Sequence, residues 1–165
     1  MPTVSDTSPI LHLARIGRLD LLREQFGQLH IPPAVQKELR ALSQNPADAE
    51  IKSVLNESWL VLTPLKSSVL ARRLQLELDD GESEAIALAL EISAGTVLMD
   101  EHEGRQVALH LGLNITGVMG ILIRAKKMGR ISAIALEIEK LRRQANFFLS
   151  KKLIQQALAA CGENE

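Results

Sequence analysis

The chain has 165 residues, 46% apolar and 24% charged, with a formal net charge of −1; this is ordinary usage for one globular domain and excludes a disordered chain. One Trp, three Phe and no Tyr leave too few rings for a base-stacking platform of the RRM or OB type, and a single cysteine, Cys161, excludes intramolecular disulfides and thiolate-rich zinc sites. Charge is unevenly spread: residues 1–100 carry 9 Lys and Arg against 14 Asp and Glu, and residues 101–165 carry 10 against 6, so one chain has room for an acidic site and a basic surface.

In chain order, Thr3 to Ser5 reads as a short strand ending at Asp6. Ser8-Pro9 then reads as an N-cap with Pro at the first helical position, and Gly17 stops that helix. Leu19 to Phe26 is a second helix, Leu29 to Ile31 a second strand, and Ala34 to Leu42 and Ala47 to Asn56 are helices. Trp59 to Leu62 is a third strand and Ser67 to Leu78 a helix. Asp80-Gly81 predicts a break before a mostly apolar, buried helix from Glu82 to Ala94. Thr96 to Met99 is a strand ending at Asp100, Glu103 to Leu111 a helix, and Asn114 to Thr116 a last strand. Gly120 to Lys127, Ser132 to Arg143 and Ser150 to Ala160 close the chain as helices.

Short apolar strands alternating with helices predict an α/β fold. Its core is a parallel sheet of about four to five strands flanked by helices in three α/β/α layers, as a single unit over 1–165. No stretch resembles an export signal, and the longest uncharged stretch, from Gln106 to Ile123, contains His110, Asn114 and three glycines. A cytoplasmic chain without a membrane span is the expectation.

Four acids stand where acids need a reason. Asp6 and Asp100 each follow a strand pattern, at the carboxyl edge where parallel sheets bind ligands. Glu38 leans toward the apolar stripe of Val35, Leu39 and Leu42, where a charge is costly unless paired or metal-bound. Glu82 lies on the stripe of Ile86, Ala89 and Leu90, which makes it the inward group. Glu84 shares a face with Glu91 and is a supporting or surface group. Crowded carboxylates repel unless they take up protons or share a cation. An all-oxygen set suits Mg²⁺ or Mn²⁺, ions that activate water and neutralise phosphodiester charge.

The segments Val4-Ser-Asp-Thr-Ser-Pro-Ile10, Ile31-Pro-Pro-Ala-Val-Gln-Lys-Glu-Leu39, Gly81-Glu-Ser-Glu-Ala-Ile86 and Leu98-Met-Asp100 resemble the PIN domain. They are most similar to a prokaryotic branch related to VapC-type toxin ribonucleases. The resemblance runs from Val4 to about Leu158 and takes in Arg105 and the Gly-rich segment from Leu111 to Leu122. It implies a metal-dependent endoribonuclease using Mg²⁺ or Mn²⁺, with Asp6, Glu38, Glu82 and Asp100 as the catalytic and metal-binding acids. Glu82 stands where many relatives have Asp. Met99 and His102 stand where relatives often carry a hydroxyl and a further acid, so Glu101 and Glu103 are candidates to stand in. Thr7 and Ser8 match hydroxyls that order water or phosphate. Arg105, Lys126, Lys127 and Arg130 are candidate RNA contacts.

The implied partners are an RNA substrate, a small antitoxin protein and a second copy of the chain. Leu11, Ile16, Leu19, Leu22 and Phe26, with Leu153, Ile154, Ala157 and Leu158, offer apolar surface that predicts a symmetric homodimer. A haloacid-dehalogenase-like phosphatase also begins with Asp after a strand, but it needs a second Asp where this chain has Ser8. The alternative is a degenerate PIN fold kept as a binding or assembly module.

Overall fold

The computed structural model describes residues 1–163. Five short strands form one parallel sheet: β1 (Thr3–Ser5), β2 (Leu29–Ile31), β3 (Leu60–Leu62), β4 (Thr96–Leu98) and β5 (Ile115–Thr116), in the order β3-β2-β1-β4-β5. Between and after them run α1 (Thr7–Arg15), α2 (Asp20–Phe26), α3 (Pro33–Leu42), α4 (Ala49–Val54), α5 (Val69–Leu74), α6 (Asp80–Glu91), α7 (His102–His110), α8 (Val118–Lys127), α9 (Ile134–Gln144) and α10 (Lys151–Ala160). This is the expected fold class.

Strand side chains alternate between the two faces. Val4 and Val97, with Met99 just beyond β4, join a core with Leu74 of α5, Ile86 and Leu88 of α6 and Ala108 of α7. Leu29, Ile31, Leu60 and Leu98 face the opposite core, built with α1 to α4 and α8 to α10. The sheet is therefore the middle of three layers. Helix α6 is buried on nearly every side, as its apolar composition predicts.

The chain runs outward from β1 to β3, then returns to lay β4 on the other side of β1. The order reverses between β1 and β4, and a crevice opens at their carboxyl ends. Ser5 is in register with Leu98, and the Asp6 N–H donates to the Leu98 carbonyl over 2.9 Å. Asp6 and Asp100 thus leave neighbouring strands at the reversal.

Several boundaries differ from the sequence expectation. Helix α1 starts at Thr7, with Asp6 in the extended N-cap conformation (φ −77°, ψ 173°). Pro9 falls third, still in the first turn where its missing N–H is not needed. Asp80-Gly81 is no break: Asp79 is the N-cap, its Oδ1 accepts from the Glu82 N–H over 2.8 Å, and both residues lie in the first turn of α6. Helix α5 stops at Leu74 because the chain must turn into that cap, and i→i−3 bonds at Leu76 and Glu77 tighten its end. A 3-10 turn over Pro46–Asp48, capped by Asn45, precedes a shorter α4. Helix α8 begins two residues early because the Asp100 Oδ1 accepts from the Val118 N–H.

The apolar surface behind the homodimer expectation is largely absorbed within the chain. Ile16, Leu22, Ala157 and Leu158 are buried, and Leu11, Leu19, Phe26 and Ile154 pack partly buried against the core. Leu153 remains exposed. Among the described residues, no helix is long and apolar enough to cross a membrane.

Candidate active site

Asp6 is delivered by the end of β1 and is only 3% exposed. Its side chain makes no capping bond to α1, so helix capping does not account for it. Burial pushes its pKa up from 3.8 to about 7. The Thr7 N–H opposes the shift, while the charges of Asp79, Glu38 and Asp100 add to it. Asp6 therefore lies within electrostatic reach of three other acids.

Glu38 projects from α3 and is half-buried. Among the described residues, hydrogen bonding and not a salt bridge holds it. The Thr7 hydroxyl donates to Glu38 Oε2, and the nearby Gly81 N–H favours the ionised carboxylate. Burial still raises its pKa, with Asp79 and Asp80 adding to the rise.

Glu82 lies in the first turn of α6, 6% exposed, and its Oε2 is buried with no partner among the described residues. Burial raises its pKa from 4.5 to about 8, helped by a hydrogen bond shared with the Asp79 carboxyl and by the charges of Asp79 and Asp6. Gly104 of α7 closes over this carboxylate: a Cβ there would collide with Glu82 Oε2 and with Met99 Sδ. Glu84, two residues on and on the other side of the helix, is committed elsewhere. Its Oε1 accepts from the Ala34 N–H at the start of α3 over 3.0 Å, complementing that helix dipole. Glu91 caps the Lys66 and Ser67 N–H groups.

Asp100 has a side chain 3% exposed and both oxygens engaged. Oδ1 accepts from the Val118 N–H at 2.8 Å, and Oδ2 lies 2.9 Å from His12 Nδ1. Arg105 donates from Nη1 to the Met99 carbonyl over 2.8 Å, which fixes its guanidinium beside Asp100. Both groups press on Gly117, where a Cβ would stand 2.7 Å from Asp100 Oδ1 and 2.8 Å from Arg105 Nη1. A groove of about 620 Å³ leads from Asp100 and Arg105 past Gly117 and Met119 to Phe147 and Leu153.

The remaining candidates lie at varied distances from this centre. Ser8 is half-buried in the first turn of α1. Glu101 and Glu103 are exposed at the start of α7, and His102 between them is exposed too. Lys126 and Arg130 are held in local contacts, Lys126 to the Ser132 carbonyl and Glu163, Arg130 to Glu24 at 3.2 Å. Lys127 is exposed. Lys126 and Lys127 lie about 12 Å or more along α8 from Val118, at 1.5 Å per residue, and Arg130 lies beyond the end of that helix.

Sequence reasoning missed two residues here. Asp79 had a signal: Asp-x-x-Glu at the start of an apolar run is a capping pattern. His12 had none, because its partner lies 88 residues away.

A family model for the PIN domain matches residues 2–163. The chain belongs to the PIN-domain family. PIN domains are generally nucleases, so this PIN domain carries a fold of nuclease type. No curated protein matches it.

Among the described residues of this PIN domain, no three His, Cys, Asp or Glu side chains converge closely enough to hold a metal ion. The donor chemistry nonetheless fits a hard divalent cation. The groups are carboxylates, two of them are buried with strongly raised pKa values, and one buried oxygen has no partner.

Proposed function

We propose that this PIN domain is a metal-dependent endoribonuclease of the VapC-like toxin type, hydrolysing RNA phosphodiesters with Mg²⁺ or Mn²⁺. The reading rests on one observation above the others: a buried, unpartnered Glu82 oxygen beside an Asp6 whose burial makes ionisation unfavourable. Without a cation these carboxylates hold protons and share hydrogen bonds. With one they would ionise and turn toward it.

Asp6, Glu38, Glu82 and Asp100 would hold the ion, and Asp79 adds negative charge at the same mouth. A bound divalent ion supplies an activated water and neutralises charge on the phosphodiester. The chain's own residues do the rest. The Thr7 hydroxyl orients Glu38. Arg105, tied at one nitrogen to Met99, has other N–H groups to offer a phosphate oxygen. The groove from Asp100 to Leu153 gives an RNA strand a concave path away from the acids.

The test is cleavage of a labelled RNA with Mn²⁺, with chelator, and by the Asp6→Asn variant. Metal-dependent cleavage lost in the variant supports the reading; equal cleavage in all three conditions overturns it. A small antitoxin and a second copy of the chain are the proposed protein partners, and they follow from the family resemblance. A chain that scatters light as a single protomer of 18.1 kDa at micromolar concentration would remove the dimer.

A second reading, a PIN fold kept as a binding module, is favoured by the absence of a converged metal triad among the described residues and by the hydrogen bond that each Asp100 oxygen already makes within the chain. Mn²⁺ calorimetry separates the two, because a relict site would give no saturable binding.

A further inference from the structure

His12 lies on α1, the helix that Asp6 begins, and is 8% exposed. Its ring packs against Phe147 with centroids 4.4 Å apart and planes inclined by 40°. Its Nδ1 is 2.9 Å from Asp100 Oδ2. With the Asp100 oxygen as acceptor, Nδ1 is the nitrogen placed to donate.

Asp100 is thus held at both oxygens by N–H donors from different elements, His12 on α1 and the Val118 backbone at the start of α8. A carboxylate presents about four lone-pair directions. Two are occupied, and the group cannot rotate to redirect the other two without breaking a bond. Phe147, from the segment between α9 and α10, holds the imidazole in place. One rigid helix therefore sets the position of Asp6 and the aim of Asp100.

The geometry points to His12 as a positioning residue for Asp100, directing its free lone pairs toward the cation of the proposed nuclease site. The inference rests on the nuclease reading. Hydrogen-bonded partners of ligating groups change metal affinity or activity by about 10- to 100-fold when removed. A side chain that merely tethered α1 to the segment after β4 would change stability alone.

The experiment compares wild type, His12→Leu and His12→Asn in the full chain by melting temperature, Mn²⁺ calorimetry, and kcat and KM on an RNA oligonucleotide. The amide nitrogen of Asn falls near the place of Nδ1, whereas Leu cannot donate. His12→Leu is expected to lose about 10- to 100-fold in Mn²⁺ affinity or kcat with KM for RNA unchanged, and His12→Asn to recover most of it. In the metal-free wild type, nitrogen-detected imidazole spectra are expected to show a proton on His12 Nδ1. That measurement stands even if the Leu variant does not fold. A His12 Nδ1 without a proton overturns the inference. So does a folded His12→Leu equal to wild type in both affinity and kcat, or a His12→Asn no better than His12→Leu. A wild type that neither binds Mn²⁺ nor cleaves RNA overturns the nuclease reading itself, and this inference with it.

Discussion

The carboxylate of Glu38 on α3 occupies the space a side chain at Gly81 on α6 would need. A Cβ at Gly81 would stand 2.7 Å from Glu38 Oε1 and 2.8 Å from Oε2. The backbone of Gly81 is not in the left-handed region, so the glycine is there for room, not for conformation.

Gly81→Ala is therefore expected to separate stability from function. The colliding atoms are the far end of a flexible side chain, which swings aside. Alanine in a helix gains up to about 1 kcal/mol over glycine. The melting temperature should hold or rise while Mn²⁺ affinity falls about tenfold or more. Wild-type affinity in the folded variant would show that Glu38 does not need its place against α6.

The raised acids set a pH dependence. Asp6 (about 7) and Glu82 (about 8) bind protons more tightly in the folded chain than their ordinary values of 3.8 and 4.5. The folded state therefore holds more protons than the unfolded one between about pH 4 and 8. The stability they contribute is full below pH 4 and is lost as pH rises through 7 and 8. The metal-free chain should melt at a lower temperature at pH 9 than at pH 6, and saturating Mg²⁺ or Mn²⁺ should reverse the order. A melting temperature that climbs from pH 6 to 9 without metal would contradict this.

The two glutamates two residues apart on α6, on roughly opposite sides of the helix, should respond in opposite ways. Glu82→Gln removes a buried charge whose Oε2 has no partner, so it should raise the melting temperature at pH 9 and weaken Mn²⁺ binding. Glu84→Ala strips the acceptor from the Ala34 N–H and should cost about 1–2 kcal/mol with Mn²⁺ affinity kept. Denaturant melts and calorimetry on the same preparations check both halves. The reverse ranking would move the site by one helical step.

Asp48 serves as a control away from the centre. It is 2% exposed and accepts from Arg15 Nε at 3.0 Å and Nη2 at 3.2 Å. Removing it leaves the partly exposed Arg15 to rehydrate, so Asp48→Ala should cost about 2 kcal/mol. Cleavage per folded molecule should not change, and a lost activity at unchanged fold would extend the site to the far end of α1.

Much of this was legible because periodicity carries it. The acids after β1 and β4 were found as charges at the ends of apolar strands, and Glu38 and Glu82 as charges on helical apolar stripes. Glu84 was read as paired in face with Glu91, but the approach of α3 decides its contact, and no spacing within α6 reports that. The early starts of α1 and α6 belong to Asp6 and Asp79, whose extended backbones outcompete the Pro and Gly signals beside them. His12 reads as one more residue on an amphipathic helix until β4 is laid against β1.

That sheet order also dictates when the centre can exist. Asp6 is made long before its strand neighbour β4, His12 must wait 88 residues for Asp100, and Phe147 comes later still. Contacts of such long sequence separation close late in folding. A nascent chain would hold its acids apart, and any chemistry at the proposed site would wait until the segment around Phe147 had been made.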